Sequence, residues 1–410
     1  MINLSGMTTG ELIKYYRKKA GKTQSAVAGL VGRSEDWWSK VERNVIAIDS
    51  LSMLIAIARE LGLSNVADLV GPAVDLSLAG GDAEHPSVPG IRRALNMPPS
   101  LLGVGLPGDA LTAAQLGERV VEAWGIYETQ TQRYGPVGEM LPGLLAETYS
   151  TLRQSAGEDE LEGTRALVSL LHLHQVFLRR VGERKLSLRA ADRAMQIADE
   201  TGDPALIAAA AWNVCGILTS SGDVSDSLEL ARSTIAHCRP GDDASPEHLS
   251  AYGALHLAAV IAAVRDSKAP TAWDLLREAD RIASRLGNDA NFFHTSFGPT
   301  NVAMHGVHLA AEEGDVVEAL HLADGVTIPA DGVLPLERTT RYLVEVMHAN
   351  RVNGDQYATL HMLRQIMEAS PEEIKYFPLV REAVQSLIKR PRPHMDAELH
   401  RIAEHVGILA

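Results

Sequence analysis

The sequence predicts an all-α protein made of a small N-terminal head and a long repetitive body. The 410 residues hold only 5 Phe, and aromatic residues make up 5% of the chain, whereas Ala and Leu are abundant; this composition favours packed helices over sheets. Apolar residues recur at the three- and four-residue spacing of helix faces. Glycine-acid turns separate these stretches repeatedly in the second half, which predicts stacked helix pairs.

The first 70 residues predict five short helices, of which the second and third form a close pair. We expect them at about 9–20, 24–31, after Ser34, at 50–61 and at 65–70. Thr23 and Ser34 are good N-caps, Gly32 breaks the helical pattern between them, and Asp49 or Ser50 caps the fourth helix. Two helices joined by a short glycine turn form a helix-turn-helix, whose second helix can enter the DNA major groove.

Residues 9–70 resemble the bacterial repressor-like (XRE) helix-turn-helix family. The resemblance is carried by Thr23-Gln24, Ala28, Gly32, Ser34, Ser39-Lys40-Val41-Glu42-Arg43, Leu51, Leu54, Ile57, Ala58 and Leu61-Gly62. Asn44 stands where the family prefers Gly, and Asn tolerates the left-handed backbone that the position needs. Glu35 and Asp36 open the recognition helix where many relatives carry cations or neutral polar residues. The resemblance implies a head that binds double-stranded DNA.

The side chains expected to contact DNA surround the turn and the recognition helix. They are Gln24, Arg33, Ser34, Glu35, Trp37, Ser39, Lys40 and Arg43. Gln24 can instead pack its amide against the recognition helix, Ser34 can act only as an N-cap, and Arg43 can end a solvated helix. Glu35 and Asp36 can stabilise the helix by ~0.3–1 kcal/mol through the helix dipole, since they lie in its first turn. Alternatively, they can accept a hydrogen bond from the amino group of a cytosine. Trp37 can pack on a neighbouring helix or press against a thymine methyl.

Charge is divided unevenly between the two parts of the chain. The net charge is −14, yet residues 1–70 hold 9 Lys and Arg against 7 Asp and Glu. A mildly basic head on an acidic body fits a DNA-binding module. The two cysteines, Cys215 and Cys238, are consistent with a reducing cytoplasm and show no metal-binding pattern. No leader or run of 18 apolar residues predicts a membrane segment, and no cofactor motif is present.

Residues 71–110 have the composition of a linker, with many Pro and Gly residues and room for one or two helical turns near Ile91 to Met97. Residues 111–410 then predict an α-solenoid of helix pairs that resemble tetratricopeptide repeats, with a period of roughly 40–46 residues. The recurring turns are Gly182-Glu183, Gly202-Asp203, Gly222-Asp223, Gly314-Asp315 and Gly354-Asp355. The helices are expected at about 112–134, 137–156, 163–180, 184–200, 204–220, 224–238, 247–265, 269–286, 299–312, 315–324, 336–352, 355–369, 372–389 and 396–406.

The body also resembles the C-terminal part of actinomycete regulators, through residues 208–212 (AAAAW) and 297–305 (FGPTNVAMH). In its arrangement of head and repeats, the chain is similar to the peptide-pheromone receptors of Gram-positive bacteria. These resemblances imply a sensor and dimerisation body, and hence a homodimer, a palindromic operator and a peptide or small-molecule effector. The alternative is an interaction scaffold whose solenoid binds a protein partner and whose head binds DNA weakly.

A ligand groove is predicted along the first helix of each pair. The candidate residues are Asn213, Tyr252, His256, Phe297, Asn301, His305 and Tyr342. An asparagine amide can bond a peptide backbone with both its donor and its acceptor. In the alternative interpretation, Asn301 caps local backbone and the Phe residues near 292–297 fill the core. Catalytic motifs are absent, and His305 with His308 lacks the further ligand that a metal site needs, so we expect no enzyme.

Overall fold

A computed structural model describes residues 7–48, 51–63, 66–70, 85–106, 111–330, 332–371, 374, 377–389 and 396–409. Within these ranges all regular secondary structure is helical, which confirms the all-α prediction. The helices of the head are α1 (Thr9–Lys19), α2 (Gln24–Leu30), α3 (Glu35–Glu42), α4 (Leu51–Glu60) and α5 (Ala67–Val70). The predicted caps of α4, Asp49 and Ser50, lie outside the described residues.

The head has its own apolar core. Each of the five helices contributes a fully buried side chain to this core: Ile13, Val27, Trp38, Ile57 and Leu69. Trp38 is the largest of them, and burial of an aromatic ring of this size contributes much of the stability of a domain this small. The core therefore fixes the orientation of α3, the helix expected to read DNA.

The rest of the chain forms one long series of helices. After α6 (Val88–Asn96) they are α7 (Ala113–Thr129), α8 (Tyr134–Leu152), α9 (Glu158–Arg180), α10 (Arg184–Thr201), α11 (Pro204–Ser221), α12 (Val224–His237), α13 (Pro246–Arg265), α14 (Ala269–Leu286), a 3₁₀ turn (Phe292–His294), α15 (Pro299–Glu313), α16 (Val316–Asp324), α17 (Leu336–Asn353), α18 (Gln356–Ala369), α19 (Pro378–Lys389) and α20 (Asp396–His405). Most bounds fall within a few residues of the predicted ones.

A helix lies within the stretch that was predicted as a linker. Residues 71–84 and 107–110 lie outside the described residues, but α6 forms between them and packs against α8 and α10. Val88, Ile91 and Leu95 share one face of α6 and are fully buried. Pro89 occupies the first turn, where its missing N–H costs no hydrogen bond. Apolar burial thus packs α6 onto the body, at the place where the predicted linker had room for one or two helical turns.

The body helices stack in chain order as pairs. The odd-numbered helices from α7 to α17 each contact the next odd-numbered helix, and the even-numbered helices pack between them. Glycines at the helix ends, such as Gly222 (φ 93°) and Gly354 (φ 86°), take the left-handed conformation that ends a helix before a sharp turn. The odd-numbered layer curves so far that α17 also contacts α7.

Two of these helices, α11 and α13, are long and apolar enough to cross a membrane by composition alone. Their apolar windows are 61% and 78% buried inside the body, as expected for core helices of a stacked array. Membership of the body in the tetratricopeptide family stays a prediction.

Candidate nucleic-acid interface

The turn between α2 and α3 is built from two caps and one glycine. Thr23 Oγ1 accepts a hydrogen bond from the amide of Ala26 at 3.1 Å. Ser34 Oγ accepts one from the amide of Trp37, also at 3.1 Å. Between them, Gly32 lies in the left-handed region (φ 68°), which a tight turn between two helices requires. The predicted order of helix, glycine turn and helix is confirmed.

A buried ion pair fixes α3 against α1. Arg17 Nη2 donates to Glu42 Oε2 at 3.0 Å, and Arg17 Nε donates to the other carboxylate oxygen. Trp38 Nε1 and Gln24 Nε2 each donate to the same carboxylate at 2.7 Å. Burial alone would raise the pKa of Glu42, but these hydrogen bonds outweigh it and lower the pKa. The side-chain nitrogen of Gln24, which was predicted to contact DNA, is therefore used for a hydrogen bond within the head.

Three of the predicted DNA contacts, Ser34, Glu35 and Arg43, are exposed at the two ends of α3. Ser34 uses its hydroxyl oxygen as the cap, and Arg43 Nε donates to the carbonyl of Ser39 at 3.3 Å. Asn44 follows with φ 58°, the left-handed conformation expected for it in place of Gly. The start of α3 and Arg43 are thus accessible to a partner.

The comparison with protein families decides the nature of the head. Residues 10–69 match a family model described as a helix-turn-helix domain. The head is a helix-turn-helix domain. This match supports a DNA-binding regulator with DNA as its partner. The match covers a small part of the chain, so it says nothing about the body.

Further comparisons add little about the body. No curated protein matches the chain. Among solved structures, the crystal structure of BtubC (BKLC) from P. vanneervenii is similar at 12% identity, with 63% of this chain and 89% of that chain covered. Its TM-score of 0.36 is too low to carry any argument about the fold or function of the body.

The body binds the helix-turn-helix domain on the side of α3. Lys40 Nζ donates to the carbonyl oxygen of Glu313 at 2.6 Å, and Arg33 Nη1 donates to that of Val264 at 3.4 Å. Both acceptors lie in the last turn of a body helix, α15 and α13, where the negative end of the helix dipole attracts cations. Two of the predicted DNA contacts are therefore bound to the body. Nothing in the sequence pattern predicts this, because the partner carbonyls belong to backbone more than 200 residues away.

The segment after α3 completes this contact. A Cβ atom placed on Gly314 would lie 2.8 Å from Lys40 Cδ, 3.2 Å from Ile46 Cγ1 and 3.3 Å from Val45 Cγ1. Gly314 also caps α15 in the left-handed conformation (φ 72°). The absence of a side chain at Gly314 is therefore what allows the helix-turn-helix domain to lie so close to the body.

Two further hydrogen bonds hold the domain on α17 and α19. His348 Nε2 lies 3.2 Å from the carbonyl oxygen of Val45, while Arg351 Nη2 lies 3.1 Å from His348 Nδ1. Because a guanidinium only donates, Nδ1 accepts and Nε2 donates to Val45. Burial, and then Arg351, lowers the pKa of His348 to about 3, so the ring is neutral at physiological pH. The amide of Thr9 also donates to Glu382 Oε1 at 3.0 Å.

A cleft of about 250 Å³ lies beside these contacts, between the α2–α3 turn and the body. Trp37, half-buried, lines it, and the guanidinium of Arg33 lies 5.1 Å from the centre of a Trp37 ring. On the body side, Arg265 pairs with Glu312 at 3.0 Å. Trp37 thus faces the body in this structure, an arrangement that sequence reasoning did not anticipate.

The residues predicted to line a ligand groove lie mainly inside the body. Six are buried and His305 is half-buried; the six are Asn213, Tyr252, His256, Phe297, Asn301 and Tyr342. Asn213 Nδ2 donates to the carbonyl of Ala209 at 3.1 Å, within its own helix. The hydroxyl of Tyr342 donates to the carbonyl of Ala323 at 3.3 Å. These polar groups have partners within the body, and their role in ligand binding stays a prediction.

Asn301 has partners for both ends of its amide. Its Nδ2 donates to the carbonyl of Ser296 at 2.8 Å, and its Oδ1 accepts from Arg338 Nε at 2.6 Å. The ring of His305 lies on the carbonyl of Asn301, with Nδ1 2.7 Å away. The sequence analysis did not single out Arg338. The signal that could have found it is its spacing of three residues from Arg341, which places both arginines on one face of a helix.

Proposed function

We propose that the chain is a cytoplasmic transcription regulator that binds specific DNA sites and is held off them by its own body. The observation that supports this is the engagement of Lys40 and Arg33 by the carbonyls of Glu313 and Val264. The second helix of a helix-turn-helix enters the major groove, and its cations neutralise phosphates. Lys40 cannot serve the body and DNA at once. DNA binding therefore competes with docking on the body.

The body, in this proposal, is a TPR-like array that forms a homodimer and carries a site for a peptide or small-molecule signal. A dimer places two helix-turn-helix domains on two half-sites, so the operator is palindromic. The docking contacts come from α13, α15, α17 and α19, which are successive parts of the array. A ligand that prefers one curvature of the array shifts the balance between docked and released domains.

The same docking contacts are also compatible with a second function, that of an interaction scaffold. If docking is permanent, the helix-turn-helix domain only closes the surface of α15 and α17, and the chain is a scaffold for a protein partner. The two functions differ in whether Lys40 ever leaves Glu313.

Capture of genomic DNA by the tagged full-length protein separates them. We would compare wild type with Gly314→Asn, whose new side chain would meet Lys40, Ile46 and Val45. Discrete palindromic sites, enriched more strongly by the variant, are the expected result. If neither protein enriches any discrete site under any growth condition, the proposal of a transcription regulator is wrong and that of an interaction scaffold remains.

A further inference from the structure

The cleft between the α2–α3 turn and the body has walls from both parts of the chain. Its volume is about 250 Å³. The helix-turn-helix domain contributes Trp37 of α3 and Ile48, which follows α3 in the chain. The body contributes Ser225 at the start of α12, Arg265 at the end of α13 and Glu312 in the last turn of α15. Neither part forms the cleft alone, so the cleft exists in this form only while the two are docked.

The size of the cleft suits a molecule of one or two rings. In other proteins a cavity of roughly 150 Å³ holds one benzene ring. Sites for drug-sized ligands begin at roughly 300 Å³. The cleft, at about 250 Å³, lies between these sizes. An extended peptide needs a longer groove, so the cleft favours a small-molecule effector over a peptide.

The wall on the side of the helix-turn-helix domain is largely apolar. Its apolar residues are Val31, Trp37, Ala47, Ile48 and Met53. Each of these five is only half-buried in the docked structure, so part of its apolar surface is still in contact with water. A flat ring placed against this wall would remove that surface from water, and an aromatic ring packs favourably against an indole. The wall therefore favours an aromatic ligand.

The wall on the body side is polar and carries both signs of charge. Arg265 donates to Glu312 Oε1 through Nη2 at 3.0 Å and through Nε at 3.1 Å. Lys268 Nζ pairs with Asp266 Oδ2 at 2.6 Å, and the hydroxyl of Ser225 donates to Asp266 Oδ1 at 3.2 Å. A charged ligand would have to break one of these pairs or give up its water without compensation. An uncharged ligand with polar atoms on its edge does neither.

The indole N–H of Trp37 lacks an acceptor. Its Nε1 atom is buried, and no acceptor lies within hydrogen-bond distance of it in the described part of the chain. A buried N–H without an acceptor destabilises the arrangement that buries it. Because Trp37 lines the cleft and is only half-buried, an acceptor atom on a ligand would favour a rotamer that turns this N–H towards it. The group that the docked arrangement lacks is therefore a hydrogen-bond acceptor.

We infer that the cleft binds a small, uncharged heteroaromatic compound of one or two rings that carries an acceptor atom on its edge. The ring packs against Trp37 and the apolar wall, and the acceptor receives the N–H of Trp37. The hydroxyl of Ser225 and the carboxylate of Asp266 lie at the opposite wall for the other polar atoms of the ring. A benzimidazole, a purine base and nicotinamide all have this chemistry.

A ligand held by both walls stabilises docking. It contacts Trp37 on one side and Ser225 on the other, so it loses contacts when the helix-turn-helix domain leaves the body. A ligand shifts an equilibrium towards the state that it binds more tightly, which here is the docked state. That this ligand lowers DNA binding rests on the proposed function, in which docking occupies Lys40. The binding of the ligand in the cleft does not.

Thermal unfolding of the full-length protein at neutral pH tests the cleft without DNA. Three probes carry an acceptor atom: benzimidazole, adenine and nicotinamide. The fourth, indole, has the shape of benzimidazole but lacks the acceptor nitrogen. At least one of the first three should raise the melting temperature, by roughly 2 °C when its concentration is about tenfold above its dissociation constant. Indole should raise it less than benzimidazole does.

Ser225→Phe is the decisive variant, because it places a ring in the cleft from an exposed position that should tolerate the change. Ser233→Phe is its matched control, since Ser233 is an exposed serine of the same helix, α12, and lies outside the cleft. Ser225→Phe should lose the response to the probe, and Ser233→Phe should keep it. Val224→Phe fills the cleft from the neighbouring lining residue and should lose the response as well.

Three results would each overturn the site: no response of wild type to any acceptor-bearing probe, equal responses to indole and benzimidazole, or a response that persists in both filled variants. The active probe should also lower the DNA affinity of wild type and have no effect on that of Ser225→Phe. A probe that raises the DNA affinity of wild type would overturn the link to docking. A protein that responds to the probe and never binds DNA keeps the site and removes the regulator.

Discussion

Lys40 Nζ lies 2.6 Å from the carbonyl oxygen of Glu313, so a cation on the second helix of the helix-turn-helix is bound to the end of a body helix. The same ammonium pairs with Asp36 at 3.0 Å. A lysine held by two acceptors does not neutralise a phosphate, and phosphate contacts supply much of the affinity of such domains for DNA. Under the proposed function, we therefore expect the docked arrangement to lower DNA affinity.

The first prediction concerns release of this contact. Gly314→Asn adds a side chain at the point where a Cβ would lie 2.8 Å from Lys40 Cδ. Hydrogen bonds to charged groups contribute roughly 1.5–3 kcal/mol, so their loss should raise DNA affinity roughly ten- to hundredfold. Fluorescence anisotropy on a captured site, at one fixed salt concentration, measures the change.

Gly354→Asn is the matched control for this experiment. Gly354 caps α17 in the same left-handed conformation (φ 86°) and is followed by the same residue type, Asp355, but no atom of the described residues lies within 4 Å of its Cβ position. The two variants thus carry similar backbone strain, and only one meets the helix-turn-helix domain. Equal DNA affinities for the two variants would show that docking at Gly314 does not limit DNA binding.

The second prediction concerns the cations of α3. Arg43 is exposed, and the described part of the body makes no hydrogen bond or ion pair with it, so Arg43→Ala should weaken DNA binding and lower its salt slope by about one phosphate. Lys40→Ala should do the same in the Gly314→Asn background, where its contact with the body is already lost. Binding isotherms at several salt concentrations give the slope. Unchanged slopes would show that both side chains face away from DNA.

Local patterns predict most of this fold. The caps Thr23 and Ser34, the turn at Gly32 and the glycine-acid turns act within a few residues, so they can be read from the chain directly. The helix α6 is harder to predict from local sequence, because the Pro and Gly residues near it indicate a linker. Its burial depends on contacts with α8 and α10, which are distant in sequence. Tertiary packing overrode local composition there.

The functional site was less predictable, for a physical reason. The motif predicts that α3 reads DNA, but Lys40 and Arg33 are engaged by the backbone carbonyls of Glu313 and Val264, which any residue presents. The partner of Asn301 was equally hidden, because Arg338 reaches it from another helix.

The third prediction separates the two interpretations of Asn301. Asn301→Ala leaves Arg338 Nε and the carbonyl of Ser296 without their partner, so it should lower the free energy of unfolding by about 1–3 kcal/mol. Asn213→Ala, which breaks one bond within its own helix, should cost less. Thermal unfolding of both variants is the measurement. If Asn301→Ala melts like wild type yet abolishes the response of DNA binding to cell extract, the groove interpretation gains.

The fourth prediction concerns assembly. Binding to a palindromic operator joins two half-sites through a two-fold dimer, and the body offers the larger surface for it. We expect the full-length protein to sediment as a dimer at micromolar concentration, in the docked wild type and in Gly314→Asn alike. Dissociation of the variant into monomers would place the dimer contact in the helix-turn-helix domain rather than in residues 111–410.

The last prediction concerns pH. The pKa of His348 is about 3 in the docked structure, against about 6.5 for an unperturbed histidine. A state that exposes this ring binds a proton more readily, so docking is fully stabilised above pH 6.5. That stabilisation is lost as the pH falls from 6.5 towards 3. For each pH unit in this range, the equilibrium constant for docking falls by a factor that approaches about ten. Protonation also places an N–H at Nδ1, directly against the guanidinium of Arg351, whose own neighbour is Glu382.

His348→Gln isolates this effect, because glutamine keeps an N–H donor for Val45 and does not titrate. DNA affinity would be measured for both proteins between about pH 7.5 and pH 5.5. Wild type should gain affinity relative to the variant as the pH falls. His172 and His174, whose pKa values burial lowers to about 3 and about 4, lie in α9 and are common to both proteins. Their contribution cancels in the comparison, so parallel pH profiles would show that His348 does not control docking.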